Sequence, residues 1–115
     1  MDRKKLVNHK RGPEALIQDK IIKALTIRGW YVRETHGNIY QNGFPDLFCC
    51  HSKYGHRWVE VKNAKHYVFT PAQVEVFPKL CANGSGVWIL VSDIESELDK
   101  LHKPFNWYLY LDVMK

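Results

Sequence analysis

Residues 46–62 read DLFCCHSKYGHRWVEVK, and the fold turns on how this stretch is parsed. Residues 46–51 and 57–62 are each rich in strand-forming side chains, and residues 52–56 between them include Gly55, which suits a turn. The stretch therefore predicts a β-hairpin. In its second strand Trp58, Glu60 and Lys62 share one face, while Val59 and Val61 share the other and anchor the strand to a core. Same-face neighbours on a strand lie roughly 6.5 Å apart, so Glu60 and Lys62 project side by side. Asp46 opens the first strand and falls opposite the end of the second, near Glu60.

Working outward, Gly12-Pro13 reads as a helix entrance. Ile17, Ile21, Ala24 and Leu25 recur at helical spacing and Gly29 supplies a stop, which predicts a helix over residues 13–28. Residues 30–35 read as a strand and 36–45 as a polar, glycine-bearing loop. Downstream, Thr70-Pro71 opens a second helix that Gly84 ends, with Pro78 expected to kink or shorten it. Residues 87–92 form an apolar run typical of a strand covered on both faces. Asp93 is placed as the N-cap of a short helix carrying Ile94, Leu98 and Leu101. After Pro104, Trp107, Leu109 and Leu111 alternate with Tyr108 and Tyr110, which predicts a last strand. The order is α-β-β-β-α-β, then a short helix and a strand: an α/β chain with a mixed sheet flanked by helices.

The chain has 115 residues, the length of one ordinary domain, with residues 1–12 as a basic arm. Its 45% hydrophobic and 25% charged residues are those of a globular protein, which excludes wholesale disorder. Residues 87–91, the longest apolar run, are too few to span a bilayer, and Asp2-Arg3-Lys4-Lys5 is no apolar leader. A soluble, cytoplasmic protein is expected. The net charge of +5 favours a polyanionic partner or serves solubility alone. Arg3, Lys4, Lys5, Lys10 and Arg11 crowd one end, and Lys62 and Lys65 sit together further on. The three cysteines have neither zinc nor disulfide spacing, so buried thiols in a reducing compartment are expected. His9, His36, His51, His56 and His102 lack ligand spacing and read as solvated or hydrogen-bonded side chains; His66 reads as either solvated or a DNA contact.

Two nearby carboxylates, Asp46 and Glu60, repel unless a proton or a cation lies between them. Hard oxygen donors select Mg²⁺ or Mn²⁺. Such an ion lowers the pKa of a bound water, with Lys62 placed to orient the hydroxide and to offset charge on a phosphate. Gly43, just before Phe44-Pro45-Asp46, permits close backbone approach to a ligand. On those letters alone the simpler reading is a salt bridge on an edge strand. Three features add weight to the catalytic one. Glu14 and Gln18 lie one turn apart, off the apolar stripe of the first helix. Thr70-Pro71-Ala72-Gln73 is a capping box, in which Gln73 either caps the helix, contacts the site, or does both. Asn63, Lys65, His66 and Tyr67 form a polar, basic, aromatic loop suited to a nucleic-acid backbone.

Glu14, Gly43-Phe44-Pro45-Asp46-Leu47, Glu60-Val61-Lys62 and Thr70-Pro71-Ala72-Gln73 resemble, in order and spacing, the VRR-NUC branch of the PD-(D/E)xK nucleases. The resemblance covers roughly residues 14–92. It implies a restriction-endonuclease-like core and a Mg²⁺- or Mn²⁺-dependent endodeoxyribonuclease. Asp46, Glu60 and the Val61 carbonyl are then metal ligands, Lys62 the catalytic lysine, Glu14 a metal- or water-linked carboxylate, and Gln73 an accessory site residue. Stand-alone members of this branch are small, occur notably in phages, and are linked to cleavage of branched DNA as dimers. The implied partners are branched or four-way-junction (Holliday junction) DNA and a second copy of the chain, in a bacterial or phage-infected cytoplasm; no other protein partner is inferable. Lys4, Lys5, Lys10, Arg11, Asn63, Lys65 and His66 are the candidate DNA contacts. Pro78 and the segment after Asp93 depart from the pattern. Two alternatives stay open: a non-catalytic nucleic-acid-binding module with the same fold, and a ribonuclease of similar chemistry, since no 2′-OH contact can be placed from sequence.

Overall fold

A computed structural model describes residues 12–35 and 42–114. Helix α1 (Pro13–Ile27) starts at a proline whose fixed φ suits the first helical turn, and ends in a turn at Arg28 and Gly29. Ile21 and Leu25, one turn apart on it, are fully buried. Strands β1 (Tyr31–Glu34), β2 (Leu47–His51) and β3 (Gly55–Val61) follow. β2 and β3 form the predicted hairpin, with Leu47 opposite Val59 and His51 opposite Gly55. β1 pairs antiparallel with the other edge of β2. Helix α2 (Pro71–Ala82) then carries the chain over the sheet to β4 (Val87–Leu90), which runs parallel to β3. The sheet order is β1-β2-β3-β4, a mixed sheet.

Alternation along the strands divides the apolar side chains between two faces. Val59 and Val61 of β3 join Leu47, Cys49, Trp88 and Leu90 against Ile21 and Leu25 of α1. On the other face Val87 and Ile89 pack with Phe77 of α2, Phe69 and Trp107, and Trp58 of β3 leans on this group. Burial of each large side chain stabilises the fold by about 1.5–3 kcal/mol, so β3 is held from both sides. All three cysteines are free, but only Cys49 is buried; Cys50 and Cys81 are half-exposed, which corrects the expectation of three buried thiols. Among the described residues no helix is long and apolar enough to cross a membrane.

Three local expectations fail, each for a physical reason. α2 runs through Pro78 to Ala82. Pro78 and Val74, whose carbonyl the proline cannot bond, both lie on the exposed side of the helix, where water can satisfy that carbonyl. Asp93 is not a cap: helix α3 (Glu95–Leu98) has Ile94 at its N-cap, without a side-chain cap bond. Leu98 and the following 3₁₀ turn's Leu101 are buried, whereas Ile94 is exposed. The predicted last strand is a 3₁₀ helix, Trp107–Met114. The outer edge of β4 is already occupied by the Asn106 amide, which accepts from the Ile89 N–H at 2.7 Å and donates to the Ile89 carbonyl at 3.2 Å. A further strand would need those groups. Trp107 instead turns into the α2-side core, edge-on to Phe77.

Candidate active site

The hairpin register carries Asp46 to Glu60. Leu47 pairs with Val59, so one residue further out Asp46 meets Glu60. The contact is reciprocal: the Asp46 N–H donates to Glu60 Oε1 at 3.1 Å, and the Val61 N–H donates to Asp46 Oδ2 at 2.8 Å. The loop before Asp46 is held from two directions. Thr35, just past β1, donates through its hydroxyl to the Pro45 carbonyl and through its N–H to the Asp46 carbonyl. Gly43, at φ +86°, lies so close to α2 that a Cβ there would come within 2.7 Å of the Ala72 carbonyl oxygen. Its lack of a side chain is required by this packing against the helix.

Glu60 and Lys62 are almost fully buried, at 1% and 5% exposure, and Gln73 is 9% exposed. Burying such charges costs several kcal/mol each unless they are paired and bonded. Here the partners are complete. Lys62 Nζ lies 3.0 Å from Glu60 Oε2 and donates to the Val68 carbonyl at 2.9 Å and to Gln73 Oε1 at 3.2 Å. The ammonium also sits 4.9 Å from the centre of the Phe69 ring. Gln73 Nε2 donates to Glu60 Oε2 at 2.7 Å. The same Gln73 Oε1 accepts from the Thr70 N–H at 3.0 Å, and the Gln73 N–H donates to Thr70 Oγ1 at 3.1 Å. The capping box therefore exists, and its glutamine simultaneously bridges Glu60 and Lys62. The two readings of Gln73 are one arrangement.

Negative charge is in excess. Burial pushes the Glu60 carboxyl up to about 8, with Asp46's charge raising it further and Lys62 and Gln73 opposing. Glu14, half-buried on α1, is raised chiefly by desolvation; Lys62 lowers it, Asp46 raises it, and a hydrogen bond from the Asn63 backbone lowers it. Asp46 thus raises both Glu60 and Glu14, and the Lys62 ammonium lowers both. Gln18, one turn along α1, donates instead to Glu34 at the end of β1, at 2.9 Å.

The structure brings Asp46, Glu60, Val61, Lys62, Gln73 and Glu14 together. Asn63, Lys65 and His66 follow directly as a loop at the rim: Asn63 Oδ1 accepts from the Lys65 N–H at 3.0 Å, and the Lys65 and His66 side chains are exposed. Lys4, Lys5, Lys10 and Arg11 lie outside the described residues. The site also recruits the Val68 carbonyl, the Phe69 ring and Thr35, which sequence reasoning passed over. The first acts through its backbone and carries no side-chain signal. The other two become neighbours only through the tertiary fold.

Oxygen donors of this kind suit a hard divalent cation. Among the described residues no group of three or more His, Cys, Asp or Glu side chains is placed to hold a metal ion by itself. A cation here would therefore complete its shell from main chain, water or substrate.

No protein-family profile matches the chain, and no curated protein matches it in sequence. In three dimensions it is similar to a solved structure described as a VRR_NUC domain, with a TM-score of 0.63 and 23% identity, over 77% of this chain and 92% of that one. The chain thus has the fold of that domain: a four-stranded mixed sheet flanked by helices, the restriction-endonuclease-like architecture expected from the sequence.

Proposed function

We propose that the chain is a nuclease of the VRR-NUC type that hydrolyses DNA phosphodiester bonds with Mg²⁺ or Mn²⁺. The observation that carries the reading is a buried lysine held by Glu60 and Gln73 inside an excess of carboxylate, in a chain with the VRR_NUC fold. Asp46, Glu60 and the Val61 carbonyl would hold the ion, with Glu14 within electrostatic reach. When bound, it would supply a lowered water pKa and a counter-charge for the phosphate. The remaining work falls to the protein. Lys62, fixed by three oxygen partners, holds a positive charge at one position without reorganisation, where it offsets charge growing on the phosphate. Gln73 keeps Glu60 and Lys62 in register. Asn63, Lys65 and His66 stand at the rim to meet the nucleic-acid backbone.

Branched or four-way-junction DNA as the preferred substrate, and a two-fold dimer that presents two sites to paired strands, belong to the same proposal and rest on the likeness to VRR-NUC nucleases. The free Cys49, Cys50 and Cys81 support a reducing, cytoplasmic setting.

A second reading is favoured by one feature: both Glu60 oxygens already have protein partners. That is what a non-catalytic nucleic-acid-binding module with an inert ion pair would show. One experiment separates the two. Linear duplex, single-stranded, flap and four-way-junction DNA, with matching RNA, are incubated with and without Mg²⁺. Metal-dependent cuts support the nuclease, and the substrate ranking tests the junction preference. Metal-independent binding with no cuts in any substrate supports the module.

A further inference from the structure

β3 enters the sheet at the end remote from the carboxylates, and Arg57 near that end faces the α1 side, opposite to Trp58, Glu60 and Lys62. Its guanidinium is fixed. Nε donates to the Leu101 carbonyl and Nη1 to the His56 carbonyl, both at 2.9 Å, and the group stacks on the Trp88 ring 4.6 Å from its centre. Both acceptors are neutral, and among the described residues Arg57 has no ion-pair partner. Burial lowers its pKa, the mark of a charge taken partly from water without a counter-charge.

Arg57 lines an open cavity of about 400 Å³ between the Gly84–Gly86 turn and the segment from His102 to Phe105. His102 and Lys103, both exposed, stand at its wall, and among the described residues no carboxylate lines it. Asp99 senses the positive charges of His102 and Lys103, but its carboxylate is bonded to Arg28 at 2.9 Å. The volume lies within the range of small-ligand sites. The lining carries a guanidinium, an imidazole and an ammonium, groups that match the oxygens of a phosphate, and Trp88 and Phe105 add apolar walls. We propose that this cavity, formed by Arg57, His102 and Lys103, is a phosphate-binding site separate from the carboxylate centre.

The separation follows from the strand. Arg57 precedes Glu60 by three residues, about 10 Å along β3, and their side chains leave opposite faces of the sheet. A phosphate held at Arg57 is therefore not one undergoing cleavage at Glu60. The same chemistry fits a phosphate of a nucleic-acid strand held away from the site of cutting, or a small free phosphate.

The test is calorimetric titration of inorganic phosphate into the metal-free full chain at constant ionic strength. Wild type, Lys103→Glu, His102→Ala and Asp46→Asn are compared; the first two variants change exposed side chains and leave the core intact. Saturable binding is expected in wild type and in Asp46→Asn. Lys103→Glu should weaken it about tenfold or more, since a charge reversal beside an anion removes at least one charge-assisted contact, and His102→Ala should weaken it less. A fluorescent single-stranded oligonucleotide is then titrated into Asp46→Asn with and without Lys103→Glu. A loss of affinity in both titrations assigns the site to nucleic-acid phosphate; a loss for inorganic phosphate alone assigns it to a small ligand. Absence of saturable phosphate binding, or binding weakened by Asp46→Asn but not by Lys103→Glu, overturns the proposal. Neither readout uses cleavage, so the outcome stands apart from the nuclease assignment.

Discussion

Replacing Gln73 by alanine removes three side-chain hydrogen bonds at once: to Glu60 at 2.7 Å, from Lys62 at 3.2 Å and from the Thr70 N–H at 3.0 Å. Hydrogen bonds to charged groups contribute about 1.5–3 kcal/mol and neutral ones about 1 kcal/mol. Water entering the vacated space restores part of this, so a loss of about 3–5 kcal/mol is expected. Thr70→Ala is the matched control. It breaks only the reciprocal cap bond from the Gln73 N–H, a loss of about 1 kcal/mol. Urea unfolding of the metal-free proteins measures both. Cleavage in Mg²⁺ should separate them further, with Thr70→Ala near wild type and Gln73→Ala reduced about 10–100-fold, as when a group supporting a ligand is lost. If the two variants lose the same stability, about 1 kcal/mol each, and cut equally well, Gln73 is a helix cap alone and the bridging argument is wrong.

Further outcomes follow from the same geometry. Glu60 is raised to about 8 from 4.5, so the folded chain holds a proton more tightly than the unfolded one. The contribution of Glu60 to metal-free stability should therefore be fully present below about pH 4.5 and be lost as pH rises through about 8. Asp46→Asn removes the second cause of the shift, and its decline should be shallower in pH-dependent thermal melts; superimposable profiles would count against the carboxylate coupling. Gly43→Ala should destabilise by about 2–4 kcal/mol in urea, from positive φ plus the clash with Ala72, whereas Gly55→Ala, also at positive φ but with open space around it, should lose about 1 kcal/mol. Equal losses would remove the packing role of Gly43. Asn106→Ala should cost about 2–3 kcal/mol and uncover the β4 edge, read as concentration-dependent association in sedimentation; a monodisperse, fully stable variant would show that the edge is covered otherwise.

The hairpin was legible because period-two alternation flanked a turn, and strand pairing alone then carried Asp46 to Glu60. Both helices were legible from proline at their starts and apolar spacing along them. The last segment was not. Alternation at Trp107, Leu109 and Leu111 has the period of a strand, but whether a strand forms depends on a free edge, and Asn106 occupies that edge. Gln73 was half legible: the capping box is local in sequence, whereas its reach to Glu60 and Lys62 exists only because α2 crosses that face of the sheet. The Val68 carbonyl that holds Lys62 leaves no trace in side-chain identity. The close approach at Gly43 was legible, but its packing against Ala72, 29 positions away in the chain, was not. Arg57 was not legible, because its lack of a counter-charge among the described residues is a tertiary fact.

The central claim is that Asp46, Glu60 and Lys62 form a metal-dependent phosphodiesterase centre. Its most direct test is the rate of DNA cleavage by wild type and Asp46→Asn, purified identically, on whichever substrate of the panel is cut fastest, with and without Mg²⁺. The asparagine keeps an acceptor for the Val61 N–H, so the fold should persist. Wild type should cleave only with Mg²⁺, and the folded variant about 100–1,000-fold more slowly. Cleavage by Asp46→Asn at the wild-type rate, or wild-type cleavage unaffected by chelation of the metal, would contradict the claim.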